Sequence, residues 1–356
     1  MENRKKRFAI LRNETEGDHI LWMEACDDFS DKVEYTVIDF MASDWFEKIQ
    51  SGSFDALLVK PSGVSSKYKQ LCDERILILD SVLDIPIYPS PKEIYIYENK
   101  RFLYSWLNAN GISHPYCHVF YSKKETETFL ARAHYPIVAK TNIGASGSGV
   151  QILKSKEDAL FYIEKAFSTK GANRRWGPNW GKGGLLKRGF HYILHPGAIS
   201  KKAAIYKERK ADKQSGFVLF QDYVEHSFEW RIVAIGDSYF AHKKLKMGEK
   251  ASGSLLKNYD NPPLELLSYA RSIMNKFGLY SQAIDVFENE KGEYLINEMQ
   301  CIFGQSDPYQ MLVDGKPGRY IYRDNEWHFD EGDFNQNQSY NLRIRHILDI
   351  LDKSTK

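Results

Sequence analysis

Residues 282–300, QAIDVFENEKGEYLINEMQ, set two runs of strand-forming residues, 282–287 and 294–300, around a polar, glycine-containing turn at 288–293. That pattern predicts a β-hairpin. With Glu288 facing Glu293 across the turn, Asp285 faces Ile296, and the two-residue period of a strand puts Asp285, Glu298 and Gln300 on one sheet face. Asp285 and Glu298 are then diagonal neighbours, about 7–8 Å apart at the backbone, near enough for two carboxylates to share one cation. Carboxylates buried in a core ask for a counter-charge. Oxygen-only ligands of this kind suit Mg²⁺, which takes one or two carboxylates and leaves its other positions to water and phosphates. The alternative reading is an edge hairpin whose acids face water.

At 356 residues the chain is too long for one ordinary core and predicts two or three domains. The 42% hydrophobic and 27% charged content is that of a globular protein. A net charge of +2 supplies no field for nucleic acid. Cys26, Cys72, Cys117 and Cys301 show no metal-ligand spacing and read as reduced thiols of a cytosolic protein. The basic start is followed by only four apolar residues, FAIL, which read as a strand rather than a signal peptide. No apolar run approaches the roughly 18 residues that span a bilayer.

Outward from the hairpin, the chain divides in three. Over residues 7–97, the short apolar runs 8–11, 34–40, 56–59 and 75–81 alternate with helices near 19–29 and 45–51, predicting a small parallel α/β layer. The proline-rich stretch 86–91 reads as its boundary. A helix over 99–109 follows, opened by Lys100 and stopped at Asn110-Gly111. The apolar strand 135–140 delivers Lys140 into the glycine-rich turn 144–149, which leads to a second strand, 150–153. Strand, loop, strand excludes the strand-loop-helix of a dinucleotide or Walker site. Gly144, Ser146 and Gly147 belong to a loop that either cradles phosphate with backbone N–H groups or is a flexible turn. Residues 171–189, with six glycines and two tryptophans, read as a long irregular loop. The basic stretch 201–213 is either a solvated helix face or an attractor of anions. An apolar strand at 217–224 precedes Glu229 and Arg231, a further strand pair ends near Lys243 and Lys244, and a helix over 262–277 leads into the hairpin.

Taken in order, Lys100, Lys140 with its glycine loop, Gln221, Asp222, Tyr223 and Val224, Glu229 and Arg231, then Asp285, Glu298 and Gln300 resemble the ATP-grasp superfamily, the fold of glutathione synthetase and D-alanine ligase. The resemblance covers about 94–304 and implies an ATP-grasp fold of mixed α/β (α+β) class. Its domains would be an N-terminal parallel α/β unit at 1–97, a small subdomain with the glycine loop at 98–184, and a large subdomain with the metal site at 185–356.

By resemblance, Lys100 and Lys140 are the nucleotide lysines and residues 144–149 the phosphate-covering loop. Gln221 to Val224 would read adenine, Glu229 the ribose and Arg231 a phosphate. Asp285, Glu298 and Gln300 would hold Mg²⁺. Two departures stand out. Gln300 occupies a position where asparagine is usual, and residues 250–254 replace the family's Arg-x-Asn-like segment, leaving Lys243, Lys244 and Asn258 to supply polar groups there.

The implied activity is an ATP-dependent carboxylate–amine or carboxylate–thiol ligase that passes through an acyl phosphate and releases ADP and phosphate. Its partners would be a small-molecule or peptide carboxylate and an amine acceptor, with no nucleic acid or membrane. A homodimer is compatible with the resemblance. The alternatives are a kinase of the same fold, acting on a hydroxyl, and a nucleotide-binding regulatory module.

Overall fold

The computed structural model describes residues 4–144, 147–172, 196–247, 250–251, 256–305 and 307–354. The expectations placed on Ser146, and on most of the glycine- and tryptophan-rich loop at 171–189, lie outside them. Seventeen strands in three sheets carry ten helices among the described residues.

The first sheet is parallel, in the order β2-β1-β3-β4: β1 Lys6–Arg12, β2 Val33–Asp39, β3 Ala56–Val59 and β4 Ile87–Tyr88. Its central strand is apolar on both faces, as a doubly covered parallel strand must be. Phe8 and Ile10 face helix α1 (Ile20–Asp27), while Ala9 and Leu11 face α2 (Trp45–Ser51) and α3 (Ser66–Val82). Two expectations change here. Residues 75–81 are the second half of α3, where Ile76 and Leu79 are buried while Leu77 and Ile78 stay exposed. The fourth strand is instead Ile87–Tyr88, inside the stretch read as a boundary.

The second sheet is antiparallel, in the order β5-β8-β6-β7: β5 Cys117–Phe120, β6 Ile137–Lys140, β7 Val150–Leu153 and β8 Val218–Asp222. Strand β8 thus crosses the chain to lie beside Lys140. Helices α4 (Pro91–Ile96) and α5 (Lys100–Ala109) precede this sheet. Helices α6 (Lys123–Leu130) and α7 (Lys156–Ala166) cover it, and α8 (Pro196–Ala211) follows.

The third sheet holds β9 Phe228–Ile235, β10 Ser238–Met247, β11 Lys250–Ala251, β12 Lys257–Asn258, β13 Ser281–Glu288, β14 Tyr294–Gln300, β15 Leu312–Val313, β16 Lys316–Arg323 and β17 Glu326–Glu331. Its main path runs β14-β13-β9-β10-β16-β15. Helix α9 (Leu264–Phe277) ends at Gly278, whose φ of 61° is the left-handed stop that glycine provides. Together with α5, it packs on one face of the sheet through Leu266, Leu267, Ala270, Leu103 and Leu107. The last helix, α10 (Tyr340–Ser354), returns to the first sheet, where Tyr340, Ile344 and Ile347 join Phe8, Ile10 and Trp22 in one buried cluster.

The four cysteines are free, three buried and Cys117 partly so. Among the described residues no helix is long and apolar enough to cross a membrane.

Candidate active site

The β13–β14 hairpin forms, but in a different register from the expected one. Asn289 closes the turn, its side-chain oxygen accepting the N–H groups of Lys291 and Glu293, so Glu288 pairs with Tyr294 rather than Glu293. The ladder then runs to Val286 opposite Ile296 and shifts, bringing Asp285 opposite Glu298. Asn297 is the extra residue of a β-bulge. Asp285 and Glu298 are direct cross-strand neighbours, not diagonal ones.

Pairing across the sheet extends this face. Asp285 lies opposite Arg231 on β9, and Arg231 opposite His242 on β10, while Glu229 lies opposite Lys244. Arg231 donates to both oxygens of Asp285, each at 2.8 Å, and Lys244 Nζ donates to Asp285 Oδ2 at 2.7 Å and to Glu229 Oε2 at 2.5 Å. Burial alone would push the Asp285 carboxyl up, but the charges of Arg231 and Lys244 outweigh it and hold the group well below the usual range. Burial likewise opposes the charge on Lys244, and Asp285 and Glu229 overcome it, raising its pKa.

The bulge joins this face to the second sheet. Asn297 Nδ2 donates to Glu229 Oε1 at 3.3 Å, while its Oδ1 accepts from Lys140 Nζ at 2.8 Å. Lys140 also donates to Tyr104 Oη at 2.6 Å, and Gln221 Nε2 reaches the same hydroxyl at 3.4 Å. Burial is the main force on Lys140, pulling its ammonium down to about 8, and the charge of Lys100 pulls the same way.

Lys100 Nζ donates to the Gly144 carbonyl at 3.1 Å and lies 3.7 Å from Glu298 Oε1. Gln300 Nε2 bridges two carboxylates, Glu298 at 3.1 Å and Glu98 at 3.2 Å. The glycine loop is pinned at its base by Thr141 N–H to the Gly149 carbonyl at 2.9 Å. A β-carbon at Gly149 would collide with the Thr141 side chain.

Lys100, Lys140, Gly144, Glu229, Arg231, Asp285, Glu298 and Gln300 are therefore brought into one network. Gln221 joins it through Tyr104. Gly147 sits at the far end of the loop, where its carbonyl accepts the N–H of Val150 at 3.4 Å. Asp222, Tyr223 and Val224 lead out of β8. The Asp222 N–H donates to the Tyr116 carbonyl, Tyr223 Oη accepts from Lys246, and the Val224 carbonyl meets His226 Nδ1. Lys243 is not brought in. It points to the opposite face, with Nζ 3.1 Å from Asp260 and 4.6 Å from the centre of the Phe228 ring.

Sequence reasoning missed Glu98, Tyr104 and Asn297, and singled out Lys243 ahead of Lys244. Strand alternation could have separated the two lysines, since Arg231 fixes which face of β9 is active. A bulge carries no comparable signal.

Beyond Arg231 the face continues to a second polar group. His242 Nδ1 lies 3.0 Å from the Gln310 carbonyl, so that nitrogen carries the proton. Burial first, then the charges of Arg231 and Lys257, pull its pKa down to about 3. Lys257 itself donates to Asp307 at 2.8 Å and to Gln305.

Among the described residues no three His, Cys, Asp or Glu side chains are grouped to hold a metal ion. Asp285 has both oxygens engaged by cations. Glu298, with a quarter of its side chain exposed, fits a single-carboxylate Mg²⁺ position that phosphates and water would complete.

No family model matches the chain, and no curated protein does. Solved structures do. D-alanyl-alanine synthetase A from Vibrio cholerae superposes with a TM-score of 0.55 at 11% identity, over 98% of this chain and 99% of that one. D-Alanine–D-alanine ligase from Bacillus anthracis, in complex with ATP, gives 0.52 at 12% identity over 98% of both chains. N5-carboxyaminoimidazole ribonucleotide synthetase from Thermotoga maritima gives 0.54 at 13%, over 96% of this chain and 76% of that one. These superpositions run over nearly the whole of the chain, and they show that it has the ATP-grasp fold.

Proposed function

We propose that the protein is an ATP-dependent ligase that joins a carboxylate to an amine through an acyl phosphate, releasing ADP and phosphate. One observation carries this reading. Four cationic side chains, Lys100, Lys140, Arg231 and Lys244, are gathered with little or no exposure where the second and third sheets meet. Phosphoryl transfer demands little from a protein besides position and charge, and such a row supplies both.

In this reading Lys100 and Lys140 hold the inner phosphates as point charges, and the N–H groups of the glycine loop cover them. Arg231 and Lys244 face the γ-phosphoryl group. They stabilise the charge that develops as a substrate carboxylate attacks it. Asp285 and Glu229 fix those two cations in place. Glu298 would hold Mg²⁺, with Gln300 orienting its carboxylate. An ion held there would supply charge neutralisation for the phosphates. The end of β8, from Gln221 to Val224, is the adenine side. The cluster of His242, Lys257, Gln305 and Asp307 beyond Arg231 is the acceptor side, where a small-molecule or peptide carboxylate meets its amine.

These four cations and the acids around them, Glu98, Glu229, Asp285 and Glu298, balance at four against four. A nucleotide tetra-anion therefore gains little from the site's net charge and must arrive with its own cations.

The test follows the oxygen. With ¹⁸O in the carboxyl group of the substrate, a ligase moves one label into released phosphate, because the carboxylate oxygen is the attacking atom. ADP accompanied by a stable phosphorylated alcohol, with no free phosphate, would replace the ligase reading by a kinase.

A further inference from the structure

Glu98 lies between α4 and α5, two residues before Lys100, in left-handed backbone at φ 49° and 4% exposed. A side chain other than glycine is strained there, and such strain persists only where the surroundings over-determine it. The surroundings come from all three sheets. Glu98 Oε2 accepts the N–H of Gly144, the first glycine of the β6–β7 loop, at 3.1 Å. Glu98 Oε1 accepts from Gln300 Nε2, just at the end of β14, and the same amide reaches Glu298. Gly63, in the loop after β3, approaches so closely that a β-carbon there would lie 2.9 Å from Glu98 Cγ.

The structure assigns Glu98 a positioning role: its carboxylate couples the glycine loop to the strand that carries Glu298, so that loop and acid hold a common register. The coupling is a property of the chain without nucleotide. Only its consequence, the placing of phosphate between loop and acid, rests on the ligase reading. It also gives Gln300 a reason. The side chain of asparagine is one methylene shorter and could not span both carboxylates from the same backbone position, whereas glutamine does.

The test is amide hydrogen exchange at Gly144, measured by NMR on the full chain without nucleotide. Glu98→Gln removes the charge-assisted acceptor and should speed exchange at Gly144 about tenfold. Gln300→Asn, which alters a residue that does not touch Gly144, should speed it as well. The double variant should exchange no faster than Glu98→Gln alone, since both break one chain of contacts. Wild-type exchange at Gly144 in Gln300→Asn, or effects of the two substitutions that simply add, would overturn the coupling. As a second readout, the KM for ATP should rise in both single variants. Should the wild-type protein fail to turn over ATP with any carboxylate, the ligase reading falls while the exchange result still decides the coupling.

Discussion

Asp285 and Glu298 stand directly opposite each other across the β13–β14 ladder because Asn297 is the bulged residue between two registers. The unbroken pairing of β13 with β9 sets Asp285 against Arg231 and Lys244, while the bulge on β14 leaves Glu298 turned towards Lys100 and frees Asn297 to hold Lys140. Two equivalent-looking acids are thus sorted into different work.

Asp285→Asn should abolish turnover and destabilise the fold. The substitution keeps the shape but leaves two buried cations short of an anion, a loss of about 3–5 kcal/mol for a broken buried pair. ADP release and urea denaturation of the same preparation check both halves. Wild-type stability would mean that Arg231 and Lys244 find another partner.

Lys243 and Lys244 are adjacent and face opposite ways, which makes them an internal control. Lys244→Met should lower kcat by about a hundredfold, as loss of a preorganised charge does. Lys243→Met, on the Asp260 side, should stay within about twofold of wild type. Equal effects would show that the two faces of β10 are not separated in function.

Burial holds the Lys140 ammonium down at about 8. Its charged form is the one that binds phosphate. Raising the pH through 8 therefore removes the charge, and ATP affinity should fall by up to about tenfold per pH unit above that point. Calorimetry from pH 6.5 to 9.5 measures it. Lys140→Met should bind more weakly at every pH and lose that dependence.

Asp18, after β1, is buried and its carboxyl is pushed up to about 7, first by burial, with Glu14 adding to the shift and Lys60 opposing it. Its Oδ1 lacks a hydrogen-bond partner, and His19 beside it is held towards neutrality by burial and then by Arg12. The raised pKa means that the folded state prefers the protonated acid. The stability this gives is complete below about pH 4 and is lost as pH rises through 7. Asp18→Asn, which keeps an oxygen for the Asn13 N–H, should match wild type near pH 4 and exceed it at pH 8 by at most about 4 kcal/mol. Denaturation curves at the two pH values decide it.

What could be read in advance follows from which forces are local. The hairpin, the strand that carries Lys140 and the helix closed by Gly278 announce themselves through alternation and stop signals, and they form where expected. The run 75–81 misleads because four consecutive apolar residues, Ile76 to Leu79, fit a buried strand or a helix equally well, and only the packing of Ile76 and Leu79 decides. Asn297 and Glu98 were illegible for another reason. Their places depend on a register shift and a left-handed backbone that are fixed by residues far away in sequence, among them Tyr104, Gly144 and Glu229.

Helix α10 gives the chain an order of assembly. The face of the first sheet that carries Phe8 and Ile10 is finished by Tyr340, Ile344 and Ile347, more than three hundred residues later. During synthesis, which adds roughly 5–20 residues per second, the part of that face left open by α1 waits tens of seconds for its cover. This sheet, made before the other two, is therefore completed after them, and a chaperone acting on the nascent chain would find an apolar face there.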